Sequence, residues 1–448
     1  MQVRFLLNGE EVTAEAAPDI TLLDWLRIER RLTGTKEGCN EGDCGACTVM
    51  ITDEGGARAL NACILFLPQL EGKAVRTVEG IAGPDGTLHP VQEAMIEKHG
   101  SQCGFCTPGF IVSMAVGHLN GRTDHDDVLA GNLCRCTGYA PIVRAAKAAE
   151  GAPVPGWMDE RGPEAEAAEF APVSADALAE LYAANPGATL VAGATDVGLW
   201  VTKQLRDISP IIFLNRCADL KGVTVTDGMI RAGAMETMET LLPLLAEHHP
   251  SYAAMLRRFA SVQIRSAATI GGSLANASPI GDNAPVLIAL GATLHLRAGS
   301  DRRDLPLEEF FLDYGKQDRR EGEFVEAVSF PASAPALRVW KISKRFDQDI
   351  SSVLAAFNIE ETDGSVSSAR VAFGGMAGIP KRASGFEAAL MGKPLTEEVV
   401  KAALPALDAD FTPLSDMRAS AGYRAEAARG LALRYAAEMA GRKEEVRA

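Results

Sequence analysis

The stretch Thr35 to Thr48, which reads TKEGCNEGDCGACT, decides the fold of the N-terminal part of this chain. It places three cysteines within nine residues, with a glycine shortly before each of them, and a fourth thiol follows at Cys63. Glycine allows the positive φ angles and the close backbone approach that a loop needs to wrap around a bound centre. The stretch is therefore expected to form a loop that directs several sulfur atoms at one point.

The spacing of these cysteines predicts a [2Fe–2S] cluster. Intervals of four residues and then two, followed by a distant fourth thiol, are typical of plant-type ferredoxins. The predicted ligands are Cys39, Cys44, Cys47 and Cys63. Zinc is the alternative, because four thiolates also bind Zn²⁺, although structural zinc sites usually use two compact pairs of ligands.

Composition limits the classes of function. The chain has 448 residues, 47% of them hydrophobic, which is enough for several packed cores. Its net charge of −15 argues against general binding to nucleic acid or to an anionic membrane, since both require a positive surface. We see no export signal and no apolar run of the roughly eighteen residues that a spanning helix needs. We therefore expect a cytoplasmic protein whose cysteines are reduced.

A second group of thiols lies among predicted helices. Helical periodicity begins after residue 89, and the pairs Cys103 with Cys106 and Cys134 with Cys136 each fall between two helical stretches. Their local sequences, CGFCTPG and CRCTGYAP, echo each other. Such an arrangement brings four sulfurs together at one end of a four-helix bundle. The spacing alone leaves zinc open as an alternative, and the position after a ferredoxin-like domain favours iron.

The whole pattern predicts a multidomain α+β protein. Its predicted parts are a β-grasp [2Fe–2S] ferredoxin domain (1–88), a helical [2Fe–2S] domain (89–155), a linker rich in proline, alanine and acid (156–172), an α+β domain (173–333) and a C-terminal α/β domain (334–448). In the first domain, Asn8-Gly9 predicts a hairpin turn and Cys63 is predicted to lie inside a strand.

Two glycine-rich stretches, LVAGATDV (190–197) and ATIGGSLANASPIGD (268–282), follow in the third domain. Their simplest interpretation is a pair of tight turns. The functional alternative is a concavity of exposed backbone N–H groups that binds a diphosphate, with hydroxyl groups of Thr195 and Thr269 as further donors. Neither stretch has the GxGxxG spacing of a Rossmann turn, so a dinucleotide would be held on another fold. The two interpretations stay open at this level.

Taken together, these motifs closely resemble the small, iron–sulfur and flavin subunit of the bacterial xanthine dehydrogenases, in the xanthine oxidase family of molybdenum hydroxylases. The resemblance covers essentially the whole chain. It rests, in chain order, on TKEGCNEGDCGACTV, NAC at Cys63, GSQCGFCTPGF, GNLCRCTGYAPI, RSAATIGGSLANASPIGD, KISKRFDQDI and FTPLSDMRAS. It implies that 173–333 is an FAD-binding domain of the vanillyl-alcohol-oxidase (PCMH) type and that 334–448 is a C-terminal flavoprotein domain.

The resemblance also implies site residues. The second cluster would be held by Cys103, Cys106, Cys134 and Cys136. The FAD diphosphate would lie along Leu190, Val191, Ala192, Gly193, Ala194, Thr195, Asp196 and Val197 and along Thr269, Ile270, Gly271, Gly272 and Ser273. Phe259 and Asp282 would lie near the adenosine or ribityl parts, Lys341 near the flavin ring, and Val325 would offer a backbone contact. Ala194 stands where the family frequently has glycine or asparagine.

The implied function is electron transfer in an NAD-dependent xanthine dehydrogenase. A molybdenum cofactor on a large partner subunit would oxidise hypoxanthine or xanthine to urate, and two [2Fe–2S] clusters here would pass the electrons to FAD and on to NAD. Nothing after Phe373 resembles a molybdenum domain, so a separate molybdopterin-binding chain in an α2β2 assembly is expected. No catalytic residue is expected in this chain, because the cofactors carry the chemistry.

Two alternatives remain at this level. One is the iron–sulfur and flavin component of another molybdenum hydroxylase, acting on an aldehyde, an N-heterocycle or carbon monoxide. The other, from a different class, is a zinc-stabilised scaffold without a redox role.

Overall fold

The computed structural model describes residues 1–442 and divides the chain into two compact units. The first unit consists of Met1–Val173, Gly187–Cys217 and Ala260–Ala268. The second consists of Ser174–Pro186, Ala218–Phe259 and the chain from Thr269 onward. Residues 443–448 of the predicted C-terminal domain lie outside the described residues. The domain boundaries derived from the sequence stay predictions.

The first unit begins with a five-stranded mixed sheet. From edge to edge its strands are Glu10–Glu15, Gln2–Leu7, Ala74–Arg76, Thr48–Asp53 and Gly56–Asn61. The hairpin predicted at Asn8-Gly9 is confirmed, and both turn residues have the positive φ that such a turn requires, 50° and 88°. Two helical segments, Leu22–Asp24 and Trp25–Glu29, pack their apolar side chains into the core of this sheet.

The four helices predicted around the second group of cysteines follow in the chain. They are Pro90–Glu97, Thr107–Leu119, His125–Leu129 and Ala140–Ala149. Their buried apolar side chains share one core. The unit also contains 3-10 turns at Ala62–Ile64, Leu67–Leu70, Val78–Gly80 and Gly156–Met158, helices Val197–Thr202 and Val262–Arg265, and the parallel strands Thr189–Val191 and Ile211–Phe213.

The prediction that Cys63 lies inside a strand is wrong. The strand Gly56–Asn61 ends before it, and Cys63 lies in the 3-10 turn Ala62–Ile64. The run from residue 59 to 70 is buried throughout, so it shows neither the period of a strand nor that of a helix. Hydrophobicity alone therefore did not reveal where the strand ended.

The segment predicted as a linker, 156–172, is fastened to the first unit. Met158 is buried, and the Trp157 indole N–H donates to the Ile81 carbonyl at 3.1 Å. Arg76 and Glu160, both largely buried, form an ion pair. These contacts hold the segment in place although its composition is that of a flexible connection.

The second unit contains two antiparallel sheets and a small hairpin. The five-stranded sheet has the order Asp301–Pro306, Thr293–Ala298, Phe324–Pro331, Met229–Gly233 and Val223–Thr226, and the four-stranded sheet has the order Arg338–Ile342, Val353–Thr362, Ser365–Gly374 and Lys381–Arg382. The hairpin pairs Phe311–Asp313 with Lys316–Gln317. The four-stranded sheet packs on C-terminal helices, where the Phe357 ring stacks on Tyr435 with centroids 5.1 Å apart.

The helices of the second unit complete the fold. They are Ala175–Ala184, Met238–His248, Pro250–Arg257, Ile270–Asn276, Asn283–Ala289, Leu307–Phe310, Ser384–Leu390, Glu397–Asp410 and Ala421–Met439, with a 3-10 turn at Ala218–Leu220. Among residues 1–442, no helix combines the length and the apolar character needed to cross a membrane. The mixture of sheets and helices in both units confirms the predicted α+β class.

Candidate metal centres and flavin site

The first cysteine group is held by backbone hydrogen bonds to sulfur. Its members are Cys39, Cys44, Cys47 and Cys63. The Cys39 sulfur accepts from the N–H groups of Asp43 and Cys44, each at 3.3 Å, and the Cys63 sulfur accepts from the Gly42 N–H at 3.2 Å. Cys39 in turn donates its N–H to the Cys44 sulfur at 3.3 Å. Such donors stabilise negative charge on sulfur, which a thiolate ligand carries.

The titration of these thiols reflects their closeness to one another. The pKa of Cys39 is lowered, first because the Cys44 thiol donates a hydrogen bond to its sulfur and then because Cys63 does the same. The pKa of Cys63 is raised, first through its hydrogen bond to Cys39 and then through its bond to Cys47. The sulfurs therefore lie within reach of one another, and only a cationic centre would let all of them be thiolates together.

Glycine is required in this loop. A Cβ on Gly38 would lie 2.7 Å from the Cys44 sulfur, and Gly42 has a φ of +79°. Gly45 has a φ of +69°, and its Cβ would lie 2.1 Å from the carbonyl oxygen of Gly131. The loop wraps too closely around the sulfurs for larger residues at these positions.

The second cysteine group lies among the four helices, as predicted. Its members are Cys103, Cys106, Cys134 and Cys136, of which Cys103 and Cys136 are exposed. Burial, followed by a hydrogen bond to Cys134, raises the pKa of Cys106 to about 12. A hydrogen bond to the Cys103 sulfur raises the pKa of Cys136. The two sequence pairs are thus joined crosswise, which brings the four sulfurs into one group.

The donor set of both groups suits iron–sulfur clusters, and the assignment of these cysteines as ligands stays a prediction. Within residues 1–442, no group of three or more Cys, His, Asp or Glu side chains forms a site for a single metal ion. Four thiols in each group, with backbone donors to three sulfurs of the first, are what cluster ligation requires.

The two cysteine loops are bonded to each other. The Leu133 N–H, next to Cys134, donates to the carbonyl of Cys44 at 2.9 Å. The Asn132 side chain donates to the Gly45 carbonyl at 3.1 Å. A ligand residue of one group is thereby linked through one hydrogen bond and a few covalent bonds to a ligand residue of the other.

A buried polar network supports this junction. The Gln263 amide donates to Ser113, Thr48 and Asn132 at 3.2 to 3.3 Å, and Ser113 also donates to Asn132 at 2.7 Å. All four side chains are at most 2% exposed. The sequence contained no signal for this network, because its members are widely separated along the chain and have no characteristic spacing.

In the first unit, the stretch from Leu190 to Val197 runs from a strand through a tight turn into the helix Val197–Thr202. A Cβ on Gly193 would lie 1.8 Å from the Ala267 carbonyl oxygen, so only glycine fits. Ala194 has a φ of 59°, which explains why glycine or asparagine suits this position. Within the described residues, the N–H groups of Gly193, Ala194 and Thr195 have no hydrogen-bond acceptor.

Three free amides at one turn could donate to a bound anion, which is the chemistry that the functional interpretation of this stretch requires. The side chains of Val191 and Ala194 are buried in an apolar cluster, so the backbone amides are the polar groups that this part of the turn offers to a ligand. The fit to a diphosphate is therefore good at this turn, and its assignment to FAD stays a prediction.

The glycine-rich stretch of the second unit is different. Thr269 begins the helix Ile270–Asn276, and its side chain accepts from the Gly272 N–H at 3.1 Å. The N–H groups of Ile270 and Gly271 donate to the carbonyls of Glu236 and Ala234, each at 2.9 Å. The expectation of exposed amides is therefore wrong for residues 270–272, because those donors are already paired. Among residues 1–442, the Thr269 hydroxyl hydrogen has no hydrogen-bond acceptor.

Two predicted flavin residues of the second unit meet directly. The Lys341 ammonium donates to the Asp282 carboxylate at 2.6 Å and to the Ser351 hydroxyl at 3.0 Å. Ser351 donates to the other Asp282 oxygen at 2.6 Å. The side chains of Lys341 and Asp282 are 1% and 5% exposed. Ser351, which the sequence analysis missed, thus completes a buried charged triad.

A second buried chain of hydrogen bonds runs beside this triad. The Tyr252 hydroxyl donates to Asn283 at 2.8 Å, and Asn283 donates to the Ser273 hydroxyl at 3.2 Å. Burial, and then the charge of Asp282, raises the pKa of Tyr252. Phe259 and Val325 lie on other elements, Phe259 after the helix Pro250–Arg257 and Val325 in the strand Phe324–Pro331.

Four family models match the chain in sequence. They describe a 2Fe-2S iron–sulfur cluster binding domain (residues 5–67), a [2Fe-2S] binding domain (77–147), an FAD binding domain in molybdopterin dehydrogenase (166–333) and a CO dehydrogenase flavoprotein C-terminal domain (338–439). These domains indicate the iron–sulfur and FAD part of a molybdenum hydroxylase. The predicted order of two iron–sulfur domains followed by two flavoprotein domains is confirmed.

Among molybdenum hydroxylases, several xanthine dehydrogenases are similar to this chain. That of Emericella nidulans is 32% identical over 91% of the chain and 36% of its own length. That of Drosophila subobscura is 34% identical over 83% of the chain and 34% of its own length. The chain therefore spans about a third of the length of these relatives.

Solved structures match a smaller part of the chain. A carbon monoxide dehydrogenase from Hydrogenophaga pseudoflava, in a form that lacks the Mo-pyranopterin moiety, is 28% identical with a TM-score of 0.56. The match covers 59% of this chain and 94% of that chain. Quinoline 2-oxidoreductase from Pseudomonas putida 86 has the same TM-score at 24% identity, over 60% of this chain and 95% of that chain, and shares the fold.

Proposed function

We propose that this chain is the electron-transfer subunit of an NAD-dependent xanthine dehydrogenase. When bound, the two clusters supply one-electron transfer, and FAD supplies the step from single electrons to the two-electron reduction of NAD. The chain would work in the cytoplasm with a large subunit that carries the molybdenum cofactor, as an α2β2 assembly. The residues of this chain would bind the two clusters and FAD, set the distances between them and adjust their reduction potentials.

The observation that carries the proposal is the bond between the two cysteine loops. The N–H of Leu133, which precedes the predicted ligand Cys134, donates to the carbonyl of Cys44, a predicted ligand of the other cluster, at 2.9 Å. The buried Asn132 and Gln263 side chains keep these loops together and exclude water from the junction. A structural zinc scaffold would have no need to hold two thiol groups in such direct connection.

The surface around the second cysteine group supports a partner that docks there. Phe105, Leu133 and Tyr139 are 48%, 62% and 37% exposed, although they are large and apolar or aromatic. They are neighbours in sequence of the exposed Cys103 and Cys136. Exposed apolar groups beside a redox centre favour a protein partner that covers them and shortens the electron path.

A second candidate is the corresponding part of another molybdenum hydroxylase. The C-terminal family model and the Hydrogenophaga structure both belong to carbon monoxide dehydrogenases. The xanthine type is favoured because the similarity to xanthine dehydrogenases runs through the iron–sulfur and flavin parts together, over 91% of the chain in one case. The partner's substrate pocket decides between aldehydes, N-heterocycles, carbon monoxide and purines.

Composition and activity test the proposal. The purified chain should be brown and contain about four irons, four sulfides and one FAD, whereas a zinc scaffold would be colourless. Copurification with its large partner should give xanthine-dependent formation of NADH. Activity with aldehydes alone would favour the second candidate, and absence of iron and flavin would refute both redox functions.

Substitution of one ligand makes the test specific. Cys106→Ser should remove one cluster and block transfer from xanthine to NAD while FAD stays bound. Cys217→Ser is the matched control, because Cys217 is a buried thiol outside both groups whose sulfur donates to the Pro172 carbonyl at 3.2 Å, a bond that serine can also form. Full NADH production by the Cys106 variant would refute the relay.

A further inference from the structure

A lysine from the flavin-binding part of the first unit reaches the first cysteine loop. Lys203 directly follows the helix Val197–Thr202, and its ammonium group donates a hydrogen bond to the Cys39 carbonyl. The same group lies 3.5 Å from a carboxylate oxygen of Glu41. A positive charge is thus held within the loop that carries three of the four predicted ligands.

The helix that precedes Lys203 packs against the turn that carries Cys63, the fourth predicted ligand. Gly198 lies so close to Ile64 that a Cβ there would be 3.0 Å from the Ile64 Cβ. Leu199 packs against the apolar cluster that includes Cys47 and Cys63. The Lys203 N–H donates to the Leu199 carbonyl at 3.0 Å. The backbone from which the lysine extends is therefore anchored on the turn that carries Cys63.

The charges around the loop make this lysine important. The loop carries three carboxylates, Glu37, Glu41 and Asp43, and one cation of its own, Lys36, which donates to the Thr33 carbonyl at 2.7 Å. Reduction adds one negative charge to a cluster, so an acidic environment opposes it and a nearby cation favours it. Net charge and hydrogen bonding near the sulfurs are among the factors that set cluster potentials.

We propose that Lys203 raises the reduction potential of the cluster at Cys39–Cys63 by offsetting this acidic loop. The ammonium group stabilises the reduced form, and Glu41 moderates the effect because it lies beside the same charge. Lys203 is therefore a positioning residue, which acts on the cluster without ligating it. The inference rests on the proposed function only in requiring that both clusters assemble.

Redox titration of the purified, cluster-loaded chain tests this proposal. The two clusters, followed by electron paramagnetic resonance and visible absorption, serve as each other's control. Lys203→Met should shift the one-electron reduction equilibrium of the cluster at Cys39–Cys63 about threefold toward the oxidised form. At 59 mV per tenfold change, this lowers its reduction potential by about 30 mV. The other cluster should keep its potential. Lys203→Arg should retain the wild-type value, since it preserves the charge.

Glu41→Gln supplies a test in the opposite direction. It leaves Lys203 in place and should raise the potential of the same cluster, and the double variant should lie between the two single variants. Unchanged potentials, or equal shifts of both clusters, would overturn the role of Lys203. If Lys203→Met fails to assemble its cluster, Glu41→Gln decides alone. A wild-type chain without iron would instead refute the proposed function.

Discussion

At the scale of single residues, Gly193 decides how closely the predicted diphosphate turn can approach its neighbours. The 1.8 Å that would separate its Cβ from the Ala267 carbonyl oxygen leaves no room for any other side chain. Because both residues belong to backbone segments that are packed in the first unit, neither can move away cheaply.

Gly193→Ala should therefore lose FAD and destabilise the first unit by about 1–3 kcal/mol, the usual cost of overpacking. Flavin content and thermal unfolding would measure both effects. Gly187→Ala is the control, because a Cβ there meets nothing within 4 Å. Normal flavin content in the Gly193 variant would show that this turn does not hold the cofactor.

The buried pair of Lys341 and Asp282 is a second determinant at this scale. Their side chains are 1% and 5% exposed, and the ion pair measures 2.6 Å. Taking one charge away leaves the other in a poorly solvated place, whereas removing both does not.

Lys341→Met should lower the free energy of unfolding of the second unit by about 3–5 kcal/mol, because Ser351 would be the one donor left to the Asp282 carboxylate among the described residues. Chemical denaturation measures this loss. The double variant with Asp282→Asn should recover a substantial part of it. Equal losses in the single and double variants would contradict the role of the ion pair.

At the scale of secondary-structure elements, a histidine side chain caps the first helix of the second cysteine domain. His89 precedes the helix Pro90–Glu97 and accepts from the Val91 N–H at 3.2 Å through Nδ1. Its side chain is fully buried. Burial, and then the charges of His118 and Arg76, lowers the pKa of His89 to about 4.

Because the pKa of His89 is lowered in the folded chain, the free energy of unfolding should depend on pH. The unfolded chain binds a proton at His89 below about pH 6.5, whereas the folded chain does so only near pH 4, so stability is lost as the pH falls through this window. The loss should reach about 2 kcal/mol at pH 5. Denaturation of wild type and His89→Asn at pH 7 and pH 5 measures it, since asparagine caps a helix without titrating. An equal pH response in both proteins would contradict this role.

At the scale of the whole molecule, the exposed apolar residues beside Cys103 and Cys136 form the surface on which we propose that the partner docks. Leu133 is the best residue to alter, because its side chain is 62% exposed while its backbone N–H bonds to Cys44. Changing the side chain leaves that bond in place.

Leu133→Asp should weaken association with the large subunit by at least tenfold, since a charge at the centre of an apolar contact must be desolvated. Both clusters and FAD should remain. Copurification and titration of the two subunits would measure the effect, with Leu205→Asp, at a site 86% exposed, as control. Unchanged association would show that the partner binds another surface.

The sequence by itself determined the features that depend on neighbouring residues. The cysteine spacings predicted both thiol groups, because short loops with glycine have few ways to direct sulfurs inward. The Asn8-Gly9 hairpin and the four helices around the second group followed from turn chemistry and periodicity. The order of the four domains was also correct, since each motif is local to its domain.

Only the tertiary structure decided which groups meet and which donors stay free. The amides of Ile270 and Gly271 are paired with carbonyls more than thirty residues away, while those of Gly193 to Thr195 are not, although both stretches look alike in sequence. The reach of Lys203 to Cys39 likewise depends on distant segments packing together. Long-range hydrogen bonding has no sequence period, so folding alone sets it.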